Sequence, residues 1–176
     1  MSGAAVIFGA PGAGKTTVLE RTADRLEAEQ VTFGALESEQ LAWGFPLLAF
    51  DRIVEQTAAV LQLQRRGGRR LFLLAVTVEG AAELGSFCSA IPARPLLTVA
   101  LDARPQTCAA RIEAREPESW TGRAELVRRA RTIAQAVTQI DAQLRIDTEL
   151  VDPETAARRV VQALRAAGAL KPHDGG

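Results

Sequence analysis

Three observations predict an α/β fold with a parallel sheet covered by helices on both faces. Short apolar runs alternate with amphipathic stretches five times along 176 residues, which is the pattern of strand and crossover helix that builds a parallel sheet. Two of these runs, AVIFG at Ala5–Gly9 and LFLLAVTV at Leu71–Val78, are apolar at nearly every position, as in strands buried on both faces. The first run passes straight into a glycine loop and a helix start, GAPGAGKTT at Gly9–Thr17. The length suits one α/β domain over residues 1–170 and is too short for two ordinary ones.

The loop from Gly9 to Thr16 fits the phosphate-binding pattern G-x-x-x-x-G-K-[ST] without a gap. From average residue usage such a match arises by chance in on the order of one chain of this length in a hundred. A strand directly before and a periodic helix directly after supply the context that separates it from an ordinary strand-to-helix turn. Its glycines let backbone N–H groups close around phosphate oxygens, and the helix behind them favours negative charge. Gly9, Pro11, Gly12, Ala13, Gly14, Lys15, Thr16 and Thr17 are therefore the expected nucleotide contacts. Lys15 would reach the β- and γ-phosphates, and the Thr16 hydroxyl would ligate magnesium.

After the loop, Val18, Leu19, Thr22, Ala23 and Leu26 recur at helical spacing, which predicts a helix to about Glu29. VTFGAL at Val31–Leu36 is the second strand. It opens into ESEQLAWGFP, where Gly44 and Pro46 interrupt regular structure and Glu37 and Glu39 sit just past the strand's C-terminal end. If that segment stays extended, the two glutamates point to one side and Ser38 to the other. From Leu47, the spacing of Phe50, Ile53, Val54, Ala58 and Leu61 gives a second helix. QRRGGRR at Gln64–Arg70 reads first as a solvated turn; a nucleic-acid contact is the alternative. The third strand, LFLLAVTV, ends at Glu79, an acid in the position of a Walker B carboxylate and a second candidate for magnesium. A short helix through Leu84, Phe87 and Ile91 stops at Pro92, and LLTVAL at Leu96–Leu101 is the fourth strand.

Asp102 and Pro105 introduce a helix containing Cys108 and Ile112. Its pattern fails at REPESWTG, Arg115–Gly122, a polar interruption with the character of a mobile flap. A long helix follows through Leu126, Ala130, Ile133, Val137 and Ile140; LRIDT at Leu144–Thr148 is the last strand. Asp152 then caps a helix with Pro153 at its first position. Because ligands of such sheets collect at the C-terminal strand ends, Glu37, Glu39, Glu79 and Asp102 are all expected at the rim of the phosphate loop.

Composition narrows the function. With 21 basic and 21 acidic residues the net charge is zero, so no global field draws nucleic acid or an anionic membrane. Cys88 and Cys108 are isolated, which fits buried thiols in a reducing compartment. No signal peptide or membrane span is visible, and the expected location is the cytoplasm. His173, the single histidine, lies in a tail, 171–176, expected to be disordered, so histidine-based catalysis is excluded.

The arrangement resembles the small P-loop kinases: shikimate, gluconate, adenylate and adenylylsulfate kinase and chloramphenicol phosphotransferase. Beyond the loop, TVALDARPQTCAARIEAREP at Thr98–Pro117 resembles that group's strand, helix and arginine-bearing lid, and IDTELVDPETAARRV at Ile146–Val160 resembles its adenine loop and final helix. The resemblance implies strand order 2-3-1-4-5 and a short lid over about residues 115–122. It places Arg111 against the adenine, Pro153 at the adenine pocket, and Arg115, with Arg123, over the transferred phosphate. Where many of these kinases carry D-x-D after the second strand, this chain has Glu37-Ser38-Glu39, each acid a methylene longer. By that likeness Glu37 serves the metal and Glu39 the acceptor.

For each arginine alone a solvated helix face is the competing reading, though Arg111 and Arg115, four apart, share one face. Trp43 and Trp120 read as packing residues or as acceptor contacts. The expected activity is transfer of the γ-phosphate of ATP, with Mg2+, to a hydroxyl of a small metabolite, nucleoside or antibiotic-like acceptor. Lys15, Glu39 and Arg115 would be catalytic, and Thr16, Glu37 and Glu79 would serve the metal. Two alternatives stay open: a nucleotide-binding switch or ATPase acting through a protein partner, and a nucleic-acid end kinase contacting its substrate through QRRGGRR. The sequence leaves the acceptor, GTP in place of ATP, and the oligomeric state undefined.

Overall fold

The computed structural model describes residues 2–170. Among them are five parallel strands, β1 (Gly3–Gly9), β2 (Phe33–Glu37), β3 (Leu71–Val76), β4 (Leu96–Asp102) and β5 (Leu144–Asp147), in the order β2-β3-β1-β4-β5. That is the order the resemblance implies. β1 and β3 lie in the middle of the sheet and every one of their residues is buried, which accounts for their unbroken apolar sequence. They run in register, Val6 beside Leu74 on one side and beside Thr98 of β4 on the other.

The helices are α1 (Lys15–Ala28), α2 (Phe50–Arg66), α3 (Ala81–Ala90), α4 (Pro105–Arg115), α5 (Arg123–Val137) and α6 (Pro153–Ala166). The chain first moves outward from β1 to β2 and then returns across the sheet through β3, β4 and β5. With right-handed crossovers this reversal puts α1 on one face and α2 to α5 on the other. The packing agrees: α1 lies on α6, α2 on α3, and α4 on α5. Each helix turns a short apolar stripe to the sheet, such as Val18, Leu19, Thr22 and Leu26 of α1. Asp152 caps α6 as expected, its carboxylate accepting the Thr155 N–H at 2.9 Å, with Pro153 at the first position.

Three local expectations change. β2 begins at Phe33 and extends to Glu37, and α2 begins at Phe50, three residues later than its apolar spacing indicates. Ser38–Ala42 is a short 3₁₀ helix instead of an extended segment. Ser38 is fully buried there, so its hydroxyl side is drawn into the protein while the chain turns. No helix among the described residues is long and apolar enough to cross a membrane. The expected tail and His173 lie outside the described residues.

Candidate active site

β1 ends where the phosphate loop begins, and the loop's shape is fixed by close backbone packing. Gly9 lies so near β4 that a Cβ would meet the Leu101 carbonyl oxygen at 2.9 Å. Gly12 adopts φ +81°, and a Cβ there would stand 2.5 Å from the Cys108 carbonyl oxygen of α4. Gly14 is also left-handed, at φ +95°, and forms the N-cap of α1. The N–H groups of α1's first turn, from Lys15 onward, have no partner within the helix and point out of its N-terminus. Lys15 Nζ donates to the carbonyls of Gly9 and Ala10 at 3.2 and 3.4 Å, across the curve of the loop. Burial pulls the Lys15 pKa below its ordinary value, and the carboxylates of Glu39 and Glu37 act against that pull.

A cavity of about 690 Å³ opens at this point. One side is the loop, with Pro11, Gly12, Gly14, Lys15, Thr16 and Thr17. Its lining also includes Glu37, Glu39 and Glu79 and the cations Arg111, Arg115 and Arg129. Leu47, Leu48, Phe50, Ile53, Val76 and Leu126 supply the apolar part of its lining. Glu37 and Glu39 reach the cavity despite the 3₁₀ turn. Glu39 Oε1 accepts the main-chain N–H of Thr77 just beyond β3, which fixes the carboxylate at the sheet rim. Glu37 Oε2 accepts from Gln40 at 3.1 Å, while its Oε1 is buried without a protein partner.

Glu79 is placed differently. Its Oε1 is 3.0 Å from both Nε and Nη2 of Arg129, and its N–H donates to Glu83 at 2.7 Å. Its charge is thus already matched, and it does not appear among the groups that influence Lys15. Thr16 and Glu37 fit a magnesium ion better: a hydroxyl at the helix start and a buried carboxylate oxygen with an unfilled acceptor position lie on one cavity.

A second hollow of about 470 Å³ adjoins the loop, lined by Gly14, Thr17, Val18, Arg111, Thr148, the 149–152 turn, Pro153 and Ala156. Arg111 stands on the wall between the two. Its Nη1 donates to Gly12 O at 3.2 Å and to the Thr148 hydroxyl at 3.0 Å, and its Nη2 to Thr148 O at 3.0 Å. The guanidinium therefore ties α4 to both the loop and the turn after β5.

Other expectations are not met. Asp102 is the last residue of β4, and its carboxylate pairs with Arg145 at 2.6 Å instead of facing the cavity. Arg123 donates to the Glu113 carbonyl at 2.6 Å, bracing the segment between α4 and α5, and is absent from the cavity wall. Trp43 and Trp120 do not line the cavity either: Trp43 is 91% exposed, and Trp120 folds over Gly122. The QRRGGRR run, by contrast, is the exposed turn that the sequence indicated, at the N-terminal end of β3 and the sheet end opposite the loop, with Arg65 donating to the Pro92 carbonyl.

Two further residues line these cavities: Arg129, which the sequence offers only as one of several solvated helix-face arginines, and Thr148, which it does not single out. Arg129 is three residues from Leu126 on α5, so both reach one wall, and Thr148 directly follows a strand end, the position already favoured for ligand contacts.

A family model described as an AAA domain matches residues 5–136. The chain belongs to this family. No curated protein is significantly similar in sequence. Among solved structures, a sugar kinase from Janibacter sp., unliganded, is 16% identical with TM-score 0.66, covering 96% of this chain and 97% of the other. The Mycobacterium tuberculosis APS kinase in complex with AMPPNP and APS is 16% identical with TM-score 0.66, covering 93% and 98%. The shikimate kinase from Acinetobacter baumannii in complex with shikimate is 17% identical with TM-score 0.58, covering 94% of both chains. The fold is therefore that of the small P-loop kinases.

Proposed function

We propose that this chain is an ATP-dependent phosphotransferase that moves the γ-phosphate to a hydroxyl of a small molecule. One observation carries the reading: the phosphate loop faces two compartments, a hollow beside Pro153 of a size for a purine and a larger cavity on the other side. A switch or plain ATPase needs the first only. The second, with carboxylates and arginines at the loop and an apolar wall behind them, is room for an acceptor. Solved neighbours with bound AMPPNP and APS, or with shikimate, support the same division.

Phosphoryl transfer asks for positioning and charge neutralisation more than covalent chemistry. Lys15 and the loop N–H groups hold the β- and γ-phosphates. Thr16 and Glu37 would hold magnesium, which would supply further charge neutralisation. Glu39, fixed by the Thr77 N–H, aligns the acceptor hydroxyl and takes its proton as the oxygen–phosphorus bond forms. The bond between the γ-phosphorus and the β,γ-bridging oxygen breaks, and ADP leaves. Arg115, at the end of α4 and the start of a lid over residues 115–122, neutralises charge on the moving phosphoryl group.

The test is a screen of hydroxyl-bearing metabolites, nucleosides and antibiotics in which ADP and phosphorylated product are read together. Glu39→Gln is expected to lose turnover at nearly unchanged nucleotide affinity, and Glu37→Gln to raise the magnesium requirement. ADP release without any phosphorylated product identifies an ATPase module instead. If Glu79→Gln alone changes the magnesium requirement, the metal role belongs to Glu79.

A further inference from the structure

The acceptor compartment is unusual in its charge arrangement. Four cationic side chains line the main cavity, and each is already engaged. Lys15 belongs to the phosphates. Arg111 is taken up by Gly12 and Thr148, Arg115 pairs with Glu116 at 2.8 Å, and Arg129 is matched by Glu79 at 3.0 Å. Glu39 and Glu83 add negative charge to the same cavity, Glu37 being committed to the metal. An anionic acceptor would meet repulsion there and would have to compete with Glu116 or Glu79 for a cation.

Beside Ala42 and Thr77, the one lining hydroxyl not assigned to the nucleotide, the remaining surface is Leu47, Leu48, Phe50, Ile53, Val76 and Leu126, which offers no hydrogen-bonding side chain to a second or third hydroxyl. Burying a polyol against it would leave its hydroxyls unpaired. A flat ring or an alicyclic body would instead cover exposed apolar surface. The segment that supplies Leu47 and Leu48 exposes two more large apolar side chains, Trp43 and Phe45, to solvent, so the apolar character continues outside the wall.

We propose, on the phosphotransferase reading above, that the acceptor is a non-anionic alcohol with an apolar body, an aromatic or alicyclic group carrying the reacting hydroxyl. The apolar wall holds the body, and Glu39 holds the hydroxyl toward the γ-phosphate. The charge pattern then acts as the selectivity device, because a carboxylate or phosphate on the acceptor stands opposite carboxylates.

The experiment compares three acceptor classes with MgATP: aromatic and alicyclic alcohols, 4-methylbenzyl alcohol and cyclohexylmethanol among them; the matched anion 4-(hydroxymethyl)benzoate; and the polyol xylitol. Phosphate esters are identified by mass spectrometry and ADP is measured in parallel. The apolar alcohols are expected to exceed the anion in kcat/KM by at least about 100-fold, the scale of like-charge rejection in a closed site. Ile53→Asp and, independently, Leu126→Asp are expected to raise KM for the apolar alcohol while nucleotide affinity stays constant. Equal or better use of the anion or the polyol overturns the inference and leaves the phosphotransferase reading intact. If no class yields a phosphate ester while ATP still binds, the inference falls, and the phosphotransferase reading is decided by the wider acceptor screen. Unchanged KM in both aspartate variants removes the apolar wall from acceptor binding.

Discussion

Gly12 and Gly14 both hold left-handed backbone in the phosphate loop, yet they answer to different constraints. At Gly14 nothing lies within 4 Å of an added Cβ, so Gly14→Ala meets only the conformational strain of a left-handed residue, about 1–2 kcal/mol. At Gly12 the same strain is joined by collision with the Cys108 main chain, with the carbonyl oxygen at 2.5 Å and Cα at 3.1 Å. A helix backbone cannot yield as a side-chain tip can, so α4 must move away from the loop and Arg111 must lose its bond to Gly12 O. Gly12→Ala is therefore expected to lower the urea midpoint well beyond Gly14→Ala. Equal losses would mean that α4 gives way freely at this point.

At the scale of elements, α4 joins the loop to the segment proposed as a lid. It is anchored at its middle by Arg111 and ends at Arg115, whose side chain lines the cavity. An arginine that neutralises the transferred phosphoryl group is worth roughly 10³–10⁵ in rate. Arg115→Ala is expected to reduce turnover by a factor of that kind and to weaken nucleotide binding far less, checked by steady-state kinetics beside equilibrium titration. Similar small losses in both would assign Arg115 to the surface with Glu116. The last helix depends on its cap. The Thr155 N–H holds the Asp152 carboxyl below its ordinary pKa. A carboxylate with a depressed folded pKa stabilises above its unfolded value, about 3.9, and this contribution fades as pH falls below it. Asp152→Asn keeps a capping oxygen without a titrating charge. The stability difference between wild type and this variant should be present at pH 7 and shrink near pH 3, followed by denaturant unfolding. A gap independent of pH would show that the charge has no part in the cap.

For the whole molecule, nucleotide binding is linked to global stability because the loop, α4 and the turn after β5 are fastened to one another through Arg111. A ligand at 100 times its Kd adds about 2.7 kcal/mol, which for a chain of this size raises the thermal midpoint by about 5–10 °C. MgATP is expected to produce that shift. Lys15→Ala should abolish it while leaving the ligand-free midpoint unchanged or slightly higher, since burial disfavours the Lys15 charge in the absence of phosphate. A variant that loses the ligand-free midpoint instead would make Lys15 a structural residue.

What the sequence by itself determined is whatever depends on neighbours along the chain. The loop is local, because Gly9 to Thr16 are consecutive and their turn, donors and charge come as one unit. The central strands are local too, since β1 and β3 are apolar throughout, and so is the α6 start, where Asp152 and Pro153 adjoin. Order 2-3-1-4-5 came from likeness to known kinases, not from spacing. Tertiary structure decided how each strand-end acid is engaged. Asp102 was drawn to Arg145 and Glu79 to Arg129, partners 43 and 50 residues away, whereas Glu39 was fixed by a main-chain N–H of β3's end. It also divided α2, whose stripe is a single apolar pattern: Val54 and Leu61 are buried in the core, while Phe50 and Ile53 line the cavity. Periodicity marks an apolar face, but only the packed neighbours decide whether that face meets protein or leaves space for a ligand.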